Sequence, residues 1–311
     1  MTDRDWLAER FEAERRRLRA VAYRMLGSLA EADDALQEAW LRVSRADAGA
    51  VENMSGWLTT IVARVCLNML ESRRARREDS LELRMPDPIV ARPDGLDPEH
   101  EALLADSVGL ALLVVLDKLA PAERVAFVLH DVFGAPFEEI GPIVGRTPIA
   151  ARQLASRARR RVQSEPTASE VDVAGQREVI DAFLAASRKG DFERLLAVLD
   201  PEVVLRKDPG ALAAGVPREL RGAQAIARGA VSAAQGVGPV QPVLVNGAAG
   251  VVAFDRDGRP FSVMAFVVAG GRIVAIDVLT DPERLARLDL SAVRGQARPG
   301  RRDDGNVPPS G

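Results

Sequence analysis

The chain has 311 residues, a length that suits about two domains. It carries 42 Lys+Arg against 45 Asp+Glu, a formal charge of −3, which excludes a protein that coats nucleic acid through overall charge. The single cysteine, Cys66, excludes an intramolecular disulfide framework and a Cys-rich zinc site, and no cofactor is expected.

The opening residues Asp3, Arg4 and Asp5 carry no apolar leader, and the longest strongly apolar run, 108–116, falls far short of the ~20 residues that span a membrane. These features predict a soluble, cytoplasmic protein with no membrane partner. Hydrophobic residues make up 47% of the chain but aromatics only 4%, so its cores must be built from Ala, Val, Leu and Ile.

In chain order, Phe11, Leu18, Val21, Ala22 and Met25 recur at helical spacing. Ser28 and Glu31 form a capping-box pattern at the start of a second helix. That helix carries Ala35, Leu36, Trp40 and Val43 on one side and Asp33, Asp34, Gln37 and Glu38 on the other. A loop over 46–55, with Gly49 and Asn53, leads to a third helix from Gly56 to about Arg77, whose last turns hold Arg73, Arg74, Arg76 and Arg77. The prolines of Met85-Pro86-Asp87-Pro88 and Arg92-Pro93-Asp94-Gly95 make 80–98 a linker. Helical pattern resumes over 99–118, and Ala120-Pro121 opens a helix that stops at Gly134.

Two short helices follow, over 137–144 and 148–162, joined by Gly145-Arg146-Thr147 with Thr147 as N-cap. A polar linker over 164–174 precedes helices at 176–186 and 192–199. Short Val-rich runs at 203–206, 241–245, 251–255, 261–268 and 272–279 then predict a strongly bent antiparallel sheet with hairpin turns at Asp257-Gly258 and Gly270-Gly271. The Gly-, Pro- and Arg-rich tail is predicted to be disordered. The expected organisation is 5–79, a linker 80–98, 99–163, a linker 164–174, 175–290, and a tail 291–311.

The strongest chemical signal is the helix-turn-helix at 137–162. Ala151, Ala155, Ala158 and Val162 line one face of its second helix, leaving Arg152, Gln153, Ser156, Arg157, Arg159 and Arg160 on the remainder. From Arg146 to Arg161 there are six Arg and no acid. Arg suits bidentate contact with guanine and phosphate, and Gln suits adenine. The bland reading is a solvated helix in a chain that uses three Lys against 39 Arg. The basic end of the third helix is a weaker signal, because the helix dipole favours it anyway and Trp57 also fits a plain core position. The acidic face with Asp33, Asp34, Gln37 and Glu38 suits either solvent or a basic partner.

The order of these blocks resembles the sigma-70 family, specifically its extracytoplasmic-function (ECF) group. Residues 11–43, with Asp33-Asp34-Ala35-Leu36-Gln37-Glu38, are similar to the first part of region 2. Trp57-Leu58-Thr59-Thr60-Ile61 and Cys66-Leu67-Asn68 resemble its promoter-melting and −10 segments. Leu119-Ala120-Pro121-Ala122-Glu123-Arg124 and Glu138-Glu139-Ile140-Gly141 resemble region 4, whose helix-turn-helix reads the −35 element. The resemblance implies a sigma factor that binds core RNA polymerase, at the β′ clamp helices and the β flap, and directs initiation at promoter DNA. Asp33, Asp34, Gln37 and Glu38 would dock the polymerase. Asn53, Trp57, Arg64, Asn68, Arg73, Arg74, Arg76 and Arg77 would meet the −10 element. Arg146, Thr147, Arg152, Gln153, Ser156, Arg157, Arg159 and Arg160 would meet the −35 element.

The last part resembles a SnoaL-like (nuclear-transport-factor-2-like) cone. ECF factors with this extension form a subgroup regulated by it in place of a separate anti-sigma protein. The subgroup's linker motif Trp-Leu-Pro-Glu-Pro reads here Arg84-Met85-Pro86-Asp87-Pro88. Its Asn-Pro-Asp-Lys-Leu motif reads Asp281-Pro282-Glu283-Arg284-Leu285, and its Asp-Gly-Gly-Gly-Arg segment is echoed by Asp208-Pro209-Gly210. The expected fold is thus two all-α sigma domains, a region 2 helical bundle and a region 4 helix-turn-helix, followed by an α+β SnoaL-like domain that contacts the linker.

Related enzymes of that fold use an Asp or His base with Tyr, but from 164 onward there is no His, Tyr, Cys or Trp. Asp208, Asp255 and Asp277 are the remaining candidate bases. The extension is therefore read as a contact module, with a small-molecule ligand in a Val- and Phe-lined interior as a second possibility. The alternative for the whole chain is a free-standing helix-turn-helix regulator with a ligand-sensing C-terminal domain.

Overall fold

Helix α1 (Asp3–Leu26) ends at Gly27, whose φ of +73° is open to glycine at little cost. A Cβ there would lie 3.3 Å from Pro86 Cβ and 3.2 Å from Arg124 Nη2, so the absence of a side chain also admits the linker. Ser28 caps α2 (Leu29–Val43), its Oγ accepting from Glu31 N. Only half of the expected capping box forms, because the Glu31 carboxylate pairs with Arg73 instead. Helix α3 (Met54–Arg77) starts two residues earlier than predicted, at Met54, and is capped by the preceding Asn53, whose Oδ1 accepts from Gly56 N at 3.0 Å. Phe11, Leu18, Val21, Met25, Leu36, Val43, Leu58, Val62 and Cys66 are buried between the three helices.

The computed structural model describes residues 3–46, 49, 51–77, 85–93, 109–165, 172–210, 219–290 and 293. Arg84, most of the predicted 99–118 helix, part of the 164–174 linker and the predicted tail apart from Val293 lie outside them. Of that helix, α4 (Leu110–Asp117) is described. Helix α5 (Pro121–Phe127) begins with Pro at its first position and runs into a π turn, Val128–Val132, closed by Phe133 N donating to Val128 O at 3.2 Å. The helix-turn-helix is α6 (Phe137–Ile143) and α7 (Pro148–Gln163). A Cβ on Gly141 would sit 2.9 Å from Arg146 O, so a glycine there lets α6 approach the turn. Ala151, Ala155 and Ala158 are buried, as the alanine face predicts.

The C-terminal unit holds α8 (Val173–Lys189), α9 (Phe192–Val198), β2 (Leu199–Asp208), β3 (Glu219–Arg221), α10 (Ala223–Ala234), β4 (Val240–Val245), β5 (Ala248–Phe254), β6 (Pro260–Ala269), β7 (Arg272–Leu279) and α11 (Pro282–Arg287). Four departures from the sequence reading stand out. The linker is not wholly irregular, because Val90–Ala91 forms a strand, β1, paired with Val245 and Leu244 at the edge of the sheet. β2 pairs with β7 in parallel, so the sheet, ordered β1-β4-β5-β6-β7-β2-β3, is not wholly antiparallel. Helix α10 and strand β3 were not predicted. A third hairpin, at Asn246-Gly247, joins the two predicted turns, with both residues at positive φ.

The sheet is apolar on both faces. Its inner face, with Val251, Phe266, Ile273 and Ile276, packs on Ile180 and Phe183 of α8, Leu195 of α9 and Ile226 of α10. Its outer face presents Val243, Val245, Val252, Phe254, Val263 and Leu279 to Met85 and Val90 of the linker, Leu110 and Val114 of α4, and Leu285 of α11. Helix α4 is therefore shared. Leu113 and Leu116 enter the helical core while Leu110 and Val114 enter the sheet core, each burial contributing roughly 2 kcal/mol.

Candidate polymerase and nucleic-acid interfaces

On α7, Thr147 Oγ1 accepts from Ala150 N at 3.2 Å and fixes the first turn. Arg146, Thr147, Arg152, Gln153, Arg157 and Arg160 are exposed and Ser156 is partly so. Two of the arginines are held in place. Arg152 lies over the Phe137 ring at 5.3 Å, and Arg159 bonds to Asp131 of the π turn. These two, with Ser156, His130, Pro136, Phe137 and Glu138, line an open groove of about 600 Å³. The surface can accept a polyanion and hydrogen-bond base edges.

On α2, Asp33, Asp34, Gln37 and Glu38 are all exposed. Arg19 engages Asp33 through two bonds of 2.7 and 3.0 Å, and Arg42 pairs with Glu38 at 3.0 Å, so the face keeps its shape without being covered. On α3, Asn53, Arg64, Asn68 and Arg74 are exposed, while Trp57 packs partly against the helical core. Arg76 and Arg77 belong to α3, but their side chains lie outside the described residues.

Arg73 departs from the expected pattern. It is only 16% exposed, pairs with Glu31, donates to Leu26 O at 3.1 Å and lies 3.7 Å from Asp117 of α4. Its length and charge tie α3 to α1, α2 and α4, because the third helix packs with its basic end against them. Arg64 Nη2 likewise reaches Pro142 O of α6 at 3.5 Å, and Arg24 lies over the Phe133 ring at 4.9 Å. The buried Cys66 thiol is pushed up to about 12 by desolvation, which leaves it inert at neutral pH.

The residues of the linker motif and of the C-terminal motif converge. Arg284 is 8% exposed; its Nη1 meets Asp208 Oδ2 and its Nη2 meets Asp87 Oδ1, both at 2.5 Å. Asp208 Oδ2 also accepts from Met85 N at 2.9 Å. Asp281 caps α11, accepting from Glu283 N and Arg284 N. Pro282 and Glu283 stay exposed in the first turn, Leu285 is buried in the sheet core, and Pro86 and Pro88 are buried.

Sequence reasoning missed Tyr23, whose Oη donates to Asp87 O at 2.7 Å and accepts from Asn246 Nδ2 at 2.9 Å. Asn246 Oδ1 also accepts from Ile89 N at 3.1 Å, and Asp87 N donates to Gly27 O at 2.7 Å. The available signals were the lone tyrosine of the chain and the Asn-Gly hairpin, but neither names its partner.

The three candidate bases of the C-terminal unit are committed to structure. Asp208 holds Arg284 and Met85 N, and Asp255 Oδ1 accepts from Asp257 N and Arg259 N in a turn. Asp277 pairs with the buried Arg206 at 3.3 Å, and Arg206 reaches Glu165, which also binds Lys118. Burial pushes the Asp277 carboxyl up to about 6, against the pull of Arg206. Among the described residues, no group of three or more His, Cys, Asp or Glu is placed to hold a metal, and no helix is long and apolar enough to cross a membrane.

Two stretches of the chain match families of the sigma-70 class: residues 10–76 match Sigma-70 region 2, and residues 109–162 match Sigma-70, region 4. The "ECF RNA polymerase sigma factor SigJ" of Mycobacterium tuberculosis is 35% identical over 298 residues, covering 92% of this chain and 95% of the relative. The "Probable ECF RNA polymerase sigma factor SigI" of the same species is 36% identical over 305 residues, covering 92% and 97%. The crystal structure of M. tuberculosis SigJ superposes with a TM-score of 0.72 at 32% identity, covering 91% of this chain and 99% of that one. The chain belongs to the ECF RNA polymerase sigma factors, with an α+β C-terminal domain following its two sigma domains.

Proposed function

We propose that this cytoplasmic sigma factor docks core RNA polymerase through α2, holds the −10 element with α3 and reads the −35 element with α7. Asp33, Asp34, Gln37 and Glu38 would meet the β′ clamp helices, and the region 4 module would meet the β flap. Asn53, Trp57, Arg64, Asn68 and Arg74, with Arg76 and Arg77 on the same segment, would contact the −10 strand. Arg73 joins them only if its tie to Glu31 and Asp117 is released.

The observation that carries this reading is α7, an exposed cationic face on the second helix of a helix-turn-helix, capped at the end that enters a groove. The overall charge of −3 suits a factor that finds promoters as part of a holoenzyme.

The SnoaL-like domain acts on this reading as a contact module and not as an enzyme. Its support is the junction of Arg284, Asp208 and Asp87, together with β1, through which the domain grips the linker between the two sigma domains. Modulation of activity then follows from how firmly that linker is held.

The test is run-off transcription of a fragment library by the full chain with purified core. Core-dependent initiation from discrete sites is expected, and it is expected to be lost when Asp34 and Glu38 are both changed to Lys. Tight duplex binding by the chain alone, with no initiation when core is added, would instead mark a free-standing regulator.

A further inference from the structure

Among the described residues three large hydrophobic side chains are exposed, and Ile149, at 74%, is the most exposed of them. It is the second residue of α7, after the Thr147 cap and Pro148, on the turn that a helix-turn-helix points at base edges. At 100° per residue, Ile149 lines up with Gln153, Ser156 and Arg160, opposite the buried Ala151, Ala155 and Ala158. Arg146 lies just before it, and Arg152 flanks it one turn on.

Every other side chain on that stripe suits hydrogen bonding or phosphate. An isoleucine there loses free energy in water and gains it only against an apolar partner. In the major groove the apolar feature of a base edge is the C5-methyl of thymine. Isoleucine suits that contact because its β-branch restricts χ1 in a helix, so little side-chain freedom is lost on contact.

We infer that Ile149 is a specificity-determining residue of α7 that packs on the C5-methyl of one thymine in the −35 element. The inference rests on the reading of α7 as the duplex-reading helix and goes beyond it by naming the base chemistry.

The experiment uses holoenzyme assembled from core polymerase and the full chain, on a promoter recovered by run-off transcription. Each thymine of the −35 footprint, on either strand, is replaced singly by uracil, which differs only by the methyl. Initiation and binding are measured for the unaltered chain, Ile149→Ala and Ile149→Val. At one position the unaltered chain is expected to lose roughly threefold to fivefold on uracil, the effect of one buried methyl.

Ile149→Ala should show the same activity on thymine and uracil there, while Ile149→Val should keep most of the preference. The side chain is exposed, so these changes leave the core intact. Indifference of the unaltered chain to every replacement, a footprint without thymine, or an undiminished preference in Ile149→Ala would each overturn the inference. If the unaltered chain gives no core-dependent initiation on any fragment, the sigma-factor reading on which the −35 assignment rests fails, a result distinct from the other three.

Discussion

Arg284 Nη2 lies 2.5 Å from Asp87 Oδ1, across 197 residues of sequence, and the same guanidinium holds Asp208. The contact joins the linker between the two sigma domains to the last helix of the C-terminal α+β domain. Arg284→Ala removes the only cation between these two carboxylates among the described pairs, leaving Asp208 as a buried charge. It should destabilise the chain by roughly 3–5 kcal/mol. Denaturant unfolding checks this, and Asp208→Asn in the same background should restore part of the loss. Limited proteolysis should show earlier cleavage in the linker; an unchanged cleavage pattern would speak against its being held by this contact.

Tyr23 bridges Asp87 O and Asn246 Nδ2 from the end of α1. Tyr23→Phe keeps the ring but leaves both groups without that partner in a buried site, at a cost of about 1–3 kcal/mol. The midpoint of chemical unfolding should fall accordingly. No change would mean that water replaces the hydroxyl.

The tie of Arg73 to Glu31 and Asp117 holds the basic end of α3 against α4. Arg73→Ala, or Asp117→Asn, is expected to loosen the region 2 and region 4 modules from each other. Fluorescence transfer between dyes on α2 and α7 should report a longer mean distance and a broader distribution. An unaltered distribution would assign the contact to the apolar core alone.

Asp277 titrates well above an ordinary carboxylate because it is buried, with Arg206 only partly offsetting the cost. A raised carboxyl contributes stability that is fully present below its ordinary value of 3.8 and is lost as pH rises through about 6. The Glu12, Glu14 and Glu165 carboxyls are lowered, so their contributions are lost as pH falls. The diagnostic is therefore a difference between two proteins. Between the two pH limits, Asp277→Asn should lose less stability than the unaltered chain, by on the order of 2 kcal/mol. Parallel profiles would refute the titration.

On α7, Gln153→Ala should relax the preference at one base pair, by about 1–3 kcal/mol if Gln153 meets adenine. Arg157→Ala should weaken binding evenly across sequences and reduce the dependence of log K on log salt by about one. Holoenzyme binding titrated against salt on promoter variants separates the two.

The features determined by the sequence alone are local ones. The helix-turn-helix was legible because Thr147, Pro148, Gly145 and the alanine face act within one turn of their own positions. The acidic stripe of α2 and the hairpins at Gly258 and Gly271 were legible for the same reason. Helix α10 escaped because its buried face, Ala223, Ile226 and Ala227, has helical spacing but is carried largely by alanine, with Gly229 inside, so its apolar contrast is weak to the eye.

The tertiary structure decided what depends on long-range partners. Val90 and Ala91 become a strand only because β4 offers an open edge. β2 runs parallel to β7 because the whole meander separates them in sequence. Arg73 looked like the rest of a basic helix end until packing placed Glu31 and Asp117 beside it. Charge, periodicity and capping are written in neighbouring residues, whereas the partner of a buried ion or an unpaired strand edge is chosen by how the chain folds back on itself.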